Sequence, residues 1–538
     1  MSELSRRRLL TLGGVSVGAA LTGVVPAFGT ASAAPVRQSA GRIAATTPSR
    51  FAAPGAVTRS LPTDLFGLGV ASGDPWPDSV VLWTRLAPDP LEGGGMPDRA
   101  IPVEWEIATD ERFRRSVRRG TAHARPEFGH SVHVEPGGLR AGSEYFYRFR
   151  AGTEVSSVGR TRTAPAAGTS PRRLRLAYAS CQNYQQGFYV AHRDLAEQDL
   201  DLVAFLGDYI YESPPSDTGV RRHEGEGEPF SLVEYRNRYA RYKTDADLRA
   251  AHAACPWIVT FDDHEVDNDW AGPVPQDPDQ QAPEEFRERR AAAFQAWYEH
   301  MPVRRSVAPE GASIQAYRRF SWGDLARIHV LDTRQYRSDQ PTTPDEADDP
   351  ARTMTGSDQE AWLVGGLTSG RQRWNLLANQ APMAQTDRKA GPEQVLWTDP
   401  WDGYRAQRRR LFEVLGSSRV ANPVVLTGDR HFTMACDLTT DFDDPEARVV
   451  GAEIVGTSIS SGGDLAPADW HGTWDQIIAE SPYWKYGDGR RGYVVCDVDR
   501  EAIVATLRVA SAVAVEDGSV SAAKRFVVEA GRRGVELS

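Results

Sequence analysis

Four strand-like hydrophobic runs of this chain each end directly on side chains that can bind a metal ion. The runs are LRLAYAS, LVAFLG, WIVTF and VVLTG, and they are followed by Cys181, Asp208, Asp262-Asp263-His264 and Asp429-Arg430-His431, respectively. Continuous Val, Leu, Ile and Phe runs are typical of strands buried on both faces, and α/β sheets bind ligands beyond the carboxyl ends of their strands. We therefore predict that these side chains converge on one metal-dependent active site.

Asp208 and Tyr211 lie three positions apart in the segment GDYIY. On one helical turn both side chains would reach the same ion, and a phenolate ligand favours a hard trivalent cation such as Fe³⁺. The alternative, from these two residues alone, is that Asp208 caps a helix while Tyr211 packs in the core. Cys181 opens a loop after its strand, where a thiolate can meet a metal.

The segment from residue 262 to 269 combines an imidazole with several carboxylates. Asp262 and Asp263 stand at a strand end, and Asp267-Asn268-Asp269 adds further oxygen donors. Oxygen-rich donor sets suit Ca²⁺ or Mg²⁺. His264 lies between acids, which suits electrostatic work at a transition state, although a histidine that only satisfies hydrogen bonds fits the same residues.

Three further loops carry polar residues after a strand. Asp429 and His431 stand at i and i+2, and they point the same way if their loop is extended. Asn379-Gln380 either orients the metal site or closes backbone hydrogen bonds. For Asp332 and Arg334 we favour a structural network over contact with substrate.

The elements that must position these residues alternate as in a layered α/β fold. The first run is followed by a helical period in FYVAHRDLAEQ, residues 283–300 are the clearest helix, and RGYVVCDVDREAIVATLRVA predicts a closing β-hairpin. These elements predict a catalytic domain over residues 172–525. The short alternating strands before it predict a small β-sandwich over residues 63–167, and the composition of residues 34–62 predicts a flexible linker.

The composition of the chain indicates the class of protein, and residues 1–33 indicate its cellular location. The chain has 538 residues, 40% of them hydrophobic and 25% charged, which is typical of a soluble globular protein with more than one domain. Residues 1–33 read SRRRLL, then a mildly apolar stretch rich in Gly and Thr, then the cleavage pattern ASA. This pattern predicts a twin-arginine signal peptide, hence the twin-arginine translocase as an export partner. We expect a secreted, periplasmic or cell-envelope protein with no integral membrane segment after cleavage.

The net charge and the cysteine content argue against two classes of protein, nucleic-acid-binding proteins and disulfide-rich scaffolds. The formal net charge of −11 argues against a stable nucleic-acid partner. Four cysteines in a chain of this length are not a disulfide scaffold. Cys255, Cys436 and Cys496 are each either a packed thiol or a disulfide partner.

Taken in order, the motifs of the chain resemble those of the PhoD-type alkaline phosphatase and phosphodiesterase family, which is related to calcineurin-like and purple acid phosphatase metallophosphoesterases. The motifs are FGLGVASGDPWPDSVVLWTRL, ASCQNY, LGDYIYE, DDHEVDND, LDTRQYR, LANQAPM and LTGDRHF. The resemblance implies an α/β fold, a four-layer αββα sandwich with a small N-terminal β-sandwich. It also implies hydrolysis of phosphomonoesters, and often of phosphodiesters, with Fe³⁺ and Ca²⁺; Zn²⁺ or Mn²⁺ can substitute.

Carried over by motif, the resemblance assigns roles to individual residues. The implied iron ligands are Cys181, Asp208, Tyr211 and His431. Asp208 would bridge to calcium, which Asp263 and Asp429 also bind, while Asp262 supports the site. His264 would stabilise the phosphoryl transition state. A second calcium is implied near residues 263–269, with Asp269 as a ligand, and this chain has Asp267-Asn268-Asp269 where the family pattern is Glu-Asn-Asn.

The leading interpretation is an exported, metal-dependent phosphatase acting through activated hydroxide on phosphate esters. One alternative keeps the fold but makes phospholipid or teichoic acid diesters the principal substrates. A second alternative is a non-catalytic, calcium-dependent surface-binding protein. The leading interpretation predicts loss of activity with chelators, whereas a metal-loaded but wholly inactive wild type would favour the binding protein.

Overall fold

The structure is a computed structural model that describes residues 61–538. The predicted signal peptide and nearly all of the predicted linker lie outside this range. The strands are β1 Val70–Gly73, β2 Val81–Arg85, β3 Ile101–Ala108, β4 Ser116–Ala124, β5 Ser131–Val134, β6 Glu144–Ala151, β7 Glu154–Val155, β8 Gly159–Arg162, β9 Leu174–Ala179, β10 Leu202–Phe205, β11 Trp257–Val259, β12 Arg318–Trp322, β13 Ala326–Val330, β14 Trp374–Asn379, β15 Pro423–Thr427, β16 Thr433–Thr439, β17 Val449–Val455, β18 Trp484–Asp488, β19 Gly492–Val498, β20 Ala502–Ala510, β21 Val520–Glu529 and β22 Glu536–Leu537. The helices are α1 Val190–Glu197, α2 Leu232–Lys243, α3 Ala246–Ala254, α4 Pro283–His300, α5 Gly356–Ser369, α6 Arg405–Leu415 and α7 Pro467–Glu480.

Two large mixed sheets form the centre of the catalytic part. One has the order β22-β21-β20-β19-β9-β10-β11-β1-β2-β5, and the other has the order β12-β13-β14-β15-β17-β16-β18. In the first sheet β9, β10 and β11 are parallel neighbours. In the second, β13, β14 and β15 are parallel neighbours. The carboxyl ends of each parallel set therefore lie together at one edge of their sheet.

The two sheets pack face to face, and helices cover both outer faces. Alternate residues of β10 point to opposite cores: Leu202 packs between the sheets, whereas Val203 packs under the helices α1 to α4. In β15, Val424 packs between the sheets and Val425 packs under α5 and α6. Burial on both faces is why these strands read as continuous apolar runs. The predicted α/β, four-layer αββα arrangement is confirmed.

The N-terminal strands form two layers around a core of their own. One layer is the five-stranded sheet of β4, β3, β6, β7 and β8, and the other is β1, β2 and β5. The second layer continues into the large sheet, because β1 pairs with β11 through Gly73 and Trp257. A Cβ at residue 73 would lie 2.2 Å from the Pro302 carbonyl oxygen, so this junction needs glycine. The predicted domain boundary near residue 167 stays a prediction.

Several predicted elements are confirmed. The helix over residues 283–300 is α4, and the closing hairpin is formed by β19 and β20, which pair antiparallel. The C-terminal segment adds β21 and β22 to the edge of the large sheet. Among residues 61–538, no helix is long and apolar enough to cross a membrane.

A buried lysine lies beneath the first sheet and makes a stability prediction possible. The ammonium of Lys243 lies 4.4 Å from the Trp83 ring centroid and 3.5 Å from His252 Nε2. Burial lowers the pKa of Lys243 to about 7. Because a depressed lysine pKa favours proton binding by the unfolded chain, stability falls as the pH drops from about 10.4 to 7 and then levels off.

Replacing Lys243 by Met is therefore expected to stabilise the protein by ~1–4 kcal/mol at pH 7, because a buried charge with no carboxylate partner among residues 61–538 gives way to an apolar side chain. The gain should shrink as the pH approaches 10. Differential scanning calorimetry at both pH values measures it. A melting temperature of K243M that is lower than wild type at pH 7 would contradict the interpretation.

Candidate metal centre

The loops after the parallel strands of both sheets meet at one place. The Cys181 amide donates to the Gly207 carbonyl at 3.1 Å, which joins the loops after β9 and β10. The Gly428 amide donates to the Gln380 carbonyl at 2.9 Å, which joins the loops after β15 and β14. Side chains from the loops of both sheets also have ligand atoms within 4.8 Å of one another, so the predicted convergence of ligand-bearing strand ends is confirmed as an arrangement of the chain.

Three linked groups of side chains have ligand atoms within 4.8 Å of one another. The groups are Cys181, Asp208 and His431; Asp208, Asp263 and His264; and Asp262, Asp263 and Asp429. Asp208 belongs to the first two groups and Asp263 to the last two. The donors of the first group are a thiol, a carboxylate and an imidazole, and those of the third are all carboxylates. Adjacent cations of different character fit such a set.

Several of these residues have left-handed backbone conformations. The φ angles are +59° at Cys181, +55° at Asp208, +65° at Asp429 and +57° at His431. Non-glycine residues rarely adopt positive φ, and such strain concentrates at functional sites. Gly207 has a φ of +117°, and a Cβ there would lie 2.6 Å from the Asp262 side chain. The left-handed residues reverse the chain within each short loop, so the ligand side chain lies close to the edge of the sheet.

Two predictions of local backbone conformation, the helical turn at Asp208–Tyr211 and the extended loop at Asp429–His431, are wrong. In both cases the backbone has left-handed residues instead. Residues 208–211 form an irregular loop with bends at 209 and 210 and no helical turn, so Asp208 neither lies on a helix nor caps one. Tyr211 still reaches it, since its hydroxyl donates to Asp208 Oδ2 at 2.8 Å and lies 3.1 Å from His431 Nε2. The loop of Asp429 and His431 is left-handed instead of extended, and the two side chains enter different groups.

The donor atoms fit a cation on structural grounds. Asp208 Oδ1, Asp263 Oδ1 and Asp429 Oδ2 are buried and accept no hydrogen bond from the described residues. Burial, with repulsion from neighbouring acids, raises the pKa of Asp429 well above its usual range. Burial and the nearby Asp208 carboxylate likewise raise the pKa of the Cys181 thiol. Buried, unpaired anionic donors are costly unless a cation compensates them.

Arg334 compensates part of this charge from behind. Its fully buried guanidinium hydrogen-bonds Asp262, lies 3.6 Å from Asp263 Oδ1 and donates to Asp399 at 3.1 Å. The Asp262 carboxylate is thus hydrogen-bonded by Arg334, which is what we expect of a residue that supports the metal site. Asp332 accepts the amide of Arg334 at 3.0 Å. The predicted structural network of Asp332 and Arg334 is confirmed.

The pair Asn379-Gln380 contacts backbone and hydroxyl groups. Asn379 donates to the Ala381 carbonyl, and Gln380 donates to the Leu331 carbonyl at 2.6 Å and to Thr260 Oγ1 at 2.9 Å. Of the two alternatives for this pair, these contacts match the closing of backbone hydrogen bonds.

Asp267 and Asp269 have different environments. Asp267 accepts from Arg289 at 3.0 Å, so its carboxylate is paired with an arginine outside the three groups. The Asp269 amide donates to Asp263 Oδ2 at 2.8 Å, and its carboxyl lies outside the three groups. Burial and the nearby Asp399 and Asp263 raise the pKa of Asp269 to about 8. Its role as a ligand of a second calcium stays a prediction.

Glu265 ties the loops together, a role that sequence reasoning missed. Its carboxylate accepts the amides of Tyr209 at 2.6 Å, Asp262 at 2.9 Å and Asp208 at 3.0 Å. These three bonds fix the loops after β10 and β11 to each other. The signal was a fourth ionisable residue in the Asp262–Glu265 segment, but nothing in the sequence separates a ligand from a support.

Ser461, in the loop after β17, and Arg491, directly before β19, support the same site. Ser461 Oγ lies 2.7 Å from both the Cys181 carbonyl oxygen and Tyr211 Oη. Arg491 donates to the carbonyls of His431 and Gly463. Burial, with repulsion from Arg491, lowers the pKa of His431 to about 3, which favours the neutral imidazole that a metal requires. No sequence motif identified these two residues.

All four cysteines lie in the described range, and all four are buried and unpaired. Cys255, Cys436 and Cys496 are therefore packed thiols, which decides between their two alternatives. Cys181 alone belongs to a ligand group.

A thiol, carboxylates and imidazoles gathered between the carboxyl ends of two facing sheets fit a metal-dependent hydrolase. The PhoD-like phosphatase family model matches residues 176–507, and its N-terminal domain model matches residues 51–165. Alkaline phosphatase D of Bacillus subtilis (strain 168) is 47% identical over 480 residues, covering 87% of this chain and 82% of that protein. A solved structure of PhoD superposes with a TM-score of 0.85 at 47% identity, covering 90% of this chain and 93% of its own.

The chain therefore belongs to the PhoD-like phosphatase family, and it is a phosphoric ester hydrolase.

Proposed function

We propose that this protein is an exported, metal-dependent alkaline phosphatase that releases phosphate from phosphomonoesters and also cleaves phosphodiesters. The observation that carries the proposal is the continuous set of three donor groups joined through Asp208 and Asp263. Such a set would hold neighbouring cations, which would supply Lewis-acid stabilisation to one phosphate.

For the metals, we propose Fe³⁺ at Cys181, Asp208, Tyr211 and His431, with Ca²⁺ at Asp208, Asp263 and Asp429. A second Ca²⁺ would use Asp269. The thiol and phenol beside an imidazole support iron, and the all-carboxylate group supports calcium. When bound, such ions supply a hydroxide nucleophile and offset the charge of the phosphate oxygens.

The protein's own residues orient the site. Asp208 joins two donor groups, and Glu265 holds its backbone. Arg334 holds Asp262 beside Asp263. A ring nitrogen of His264 lies within 4.8 Å of carboxylate oxygens of Asp208 and Asp263. From there, His264 would donate a hydrogen bond to the phosphate in the transition state.

Residues 1–33 would act as a twin-arginine signal peptide, which places the mature protein in the cell envelope or outside the cell. Phosphate esters outside the cytoplasm would then be its substrates. Export of a reporter fused to residues 1–33, with Arg6 and Arg7 replaced by Lys as the control, tests this part. Export of the Lys variant at the wild-type level would contradict it.

Replacing His264 by Ala is expected to lower kcat for p-nitrophenyl phosphate by about 10²–10³-fold, because one donor to the transition state is lost. The bound metal content should stay at the wild-type level. His471, which is exposed and pairs with Asp475 on the surface, provides the control, and H471A should keep full activity. Full activity of H264A would reject the catalytic role.

The rates for p-nitrophenyl phosphate and bis-p-nitrophenyl phosphate decide the ester class. Turnover of the monoester at a rate comparable to or above the diester supports the proposal. Turnover of the diester alone would favour the phosphodiesterase alternative. A metal-loaded protein that turns over neither ester would favour a binding protein.

A further inference from the structure

We propose that Glu212 is a positioning residue that sets the orientation of the His264 imidazole for the reaction. The inference rests on the proposed role of His264. Glu212 directly follows Tyr211 in the chain, and its side chain is 3% exposed, whereas that of His264 is 18% exposed. A buried carboxylate thus stands behind a histidine that faces the solvent side of the site.

Both oxygens of Glu212 have defined partners. Oε2 lies 2.7 Å from His264 Nδ1, and Oε1 accepts the Asn268 amide at 3.0 Å. The second bond prevents the carboxylate from turning away, so the first bond has a fixed direction. The His264 ring also lies on the Tyr211 ring, with centroids 4.0 Å apart and planes at 30°. One contact fixes the edge of the imidazole and the other fixes its face.

The bond to Glu212 selects which ring nitrogen meets the substrate. A carboxylate accepts, so Nδ1 carries hydrogen, and Nε2 is the nitrogen left to act on the phosphate. Without this bond the ring can turn about its Cβ–Cγ bond and exchange its two edges. A carboxylate that orients a functional histidine in this way acts through the histidine, not on the substrate.

Glu212 has no competing charged partner among the described residues within hydrogen-bond distance. The nearby Arg289 is taken by Asp267 at 3.0 Å and by Glu228 at 2.9 Å. A purely structural carboxylate in this network would pair with that arginine. Glu212 is instead directed at His264 and at the loop that carries it.

A double-mutant cycle tests the inference. We would measure kcat and KM for p-nitrophenyl phosphate with wild type, E212Q, H264A and the E212Q/H264A double variant, each with its metal content. Glu212→Gln keeps the shape but supplies one acceptor oxygen for two donors. We expect kcat to fall about 10- to 100-fold with KM and metal content unchanged. In the H264A background, the same substitution should change kcat by less than about twofold.

Each of the other outcomes would overturn a specific part of the inference about Glu212. An equal loss from E212Q in both backgrounds would show that Glu212 acts independently of His264. Loss of bound metal in E212Q would make it a support of the metal site only. Wild-type kcat in E212Q would remove any role. Full activity of H264A would instead reject the proposed role of His264, and the inference would fall with it.

Two further variants complete the test, one as a control and one as a replacement if E212Q does not fold. Glu228→Gln removes a carboxylate of the same network that contacts Arg289 and not His264, and its kcat should stay within about twofold of wild type. If E212Q does not fold, Glu212→Asp takes its place. It keeps the charge but shortens the reach by one methylene, so we expect a smaller loss in wild type and none in H264A. An equal loss in both backgrounds would again overturn the inference.

Discussion

Replacing Asp208 by Asn is expected to lower kcat/KM for p-nitrophenyl phosphate by on the order of 10³-fold or more, because metal stabilisation of several kcal/mol would be lost. Asp208 is the residue shared by the thiol-containing group and the His264 group, so one substitution weakens both. Asn retains the size and one oxygen but not the charge. Metal analysis of the purified variant should show less than the wild-type content.

Asp402→Asn is the matched control for this prediction. Asp402 is also a buried aspartate, but it pairs with Arg408 at 2.5 Å and belongs to none of the three ligand groups. This variant should lose stability and keep its bound metals and its kcat. If D208N keeps the metal content and activity of wild type, Asp208 is not a ligand on which turnover depends.

Metal removal is expected to lower the melting temperature, and to lower it more at pH 9 than at pH 5. In the metal-free fold, burial raises the pKa of Asp208 and of Asp429, and neighbouring acids add to the shift. A carboxyl whose folded-state pKa is raised loses folding free energy as the pH rises from its unfolded value of about 3.9 through the folded value. Bound cations would offset this loss, so their removal should lower the free energy of unfolding mainly at alkaline pH.

At roughly 1 °C per kcal/mol for a chain of this size, a loss of several kcal/mol at pH 9 corresponds to ~3–6 °C. Calorimetry with and without a chelator at both pH values measures the difference. D208N supplies the control, since a variant that binds less metal should respond less to the chelator. A chelator effect that is equal at the two pH values, or larger at pH 5, would contradict the charge argument.

The layered fold and the meeting point of the ligands could be predicted because both depend on a strong local pattern. Apolar runs such as LVAFLG are continuous since the strands are covered on both faces, and each of them stops at the residue that leaves the sheet. Asp208 and Asp429 could thus be identified as strand-end residues. Their left-handed backbone could not, because φ at a non-glycine residue depends on the surrounding loops.

The supporting residues could not be predicted for a different reason. Glu265, Ser461 and Arg491 act through contacts between segments that are far apart in the chain, such as the 2.7 Å approach of Ser461 to the Cys181 carbonyl. A buried carboxylate that accepts three amides has the same sequence signal as one that binds a metal. The continuation of the N-terminal strands into the large sheet depends on one residue pair at Gly73, which also leaves no periodic signal.

The most direct test of the central claim is to measure bound metals and ester hydrolysis on one purified sample before metal removal, after it and after add-back. We predict bound iron and calcium, turnover of p-nitrophenyl phosphate at alkaline pH that is lost with the metals, and recovery when iron and calcium are returned. Undiminished turnover by protein shown to be free of metal would contradict the metal-dependent site described above.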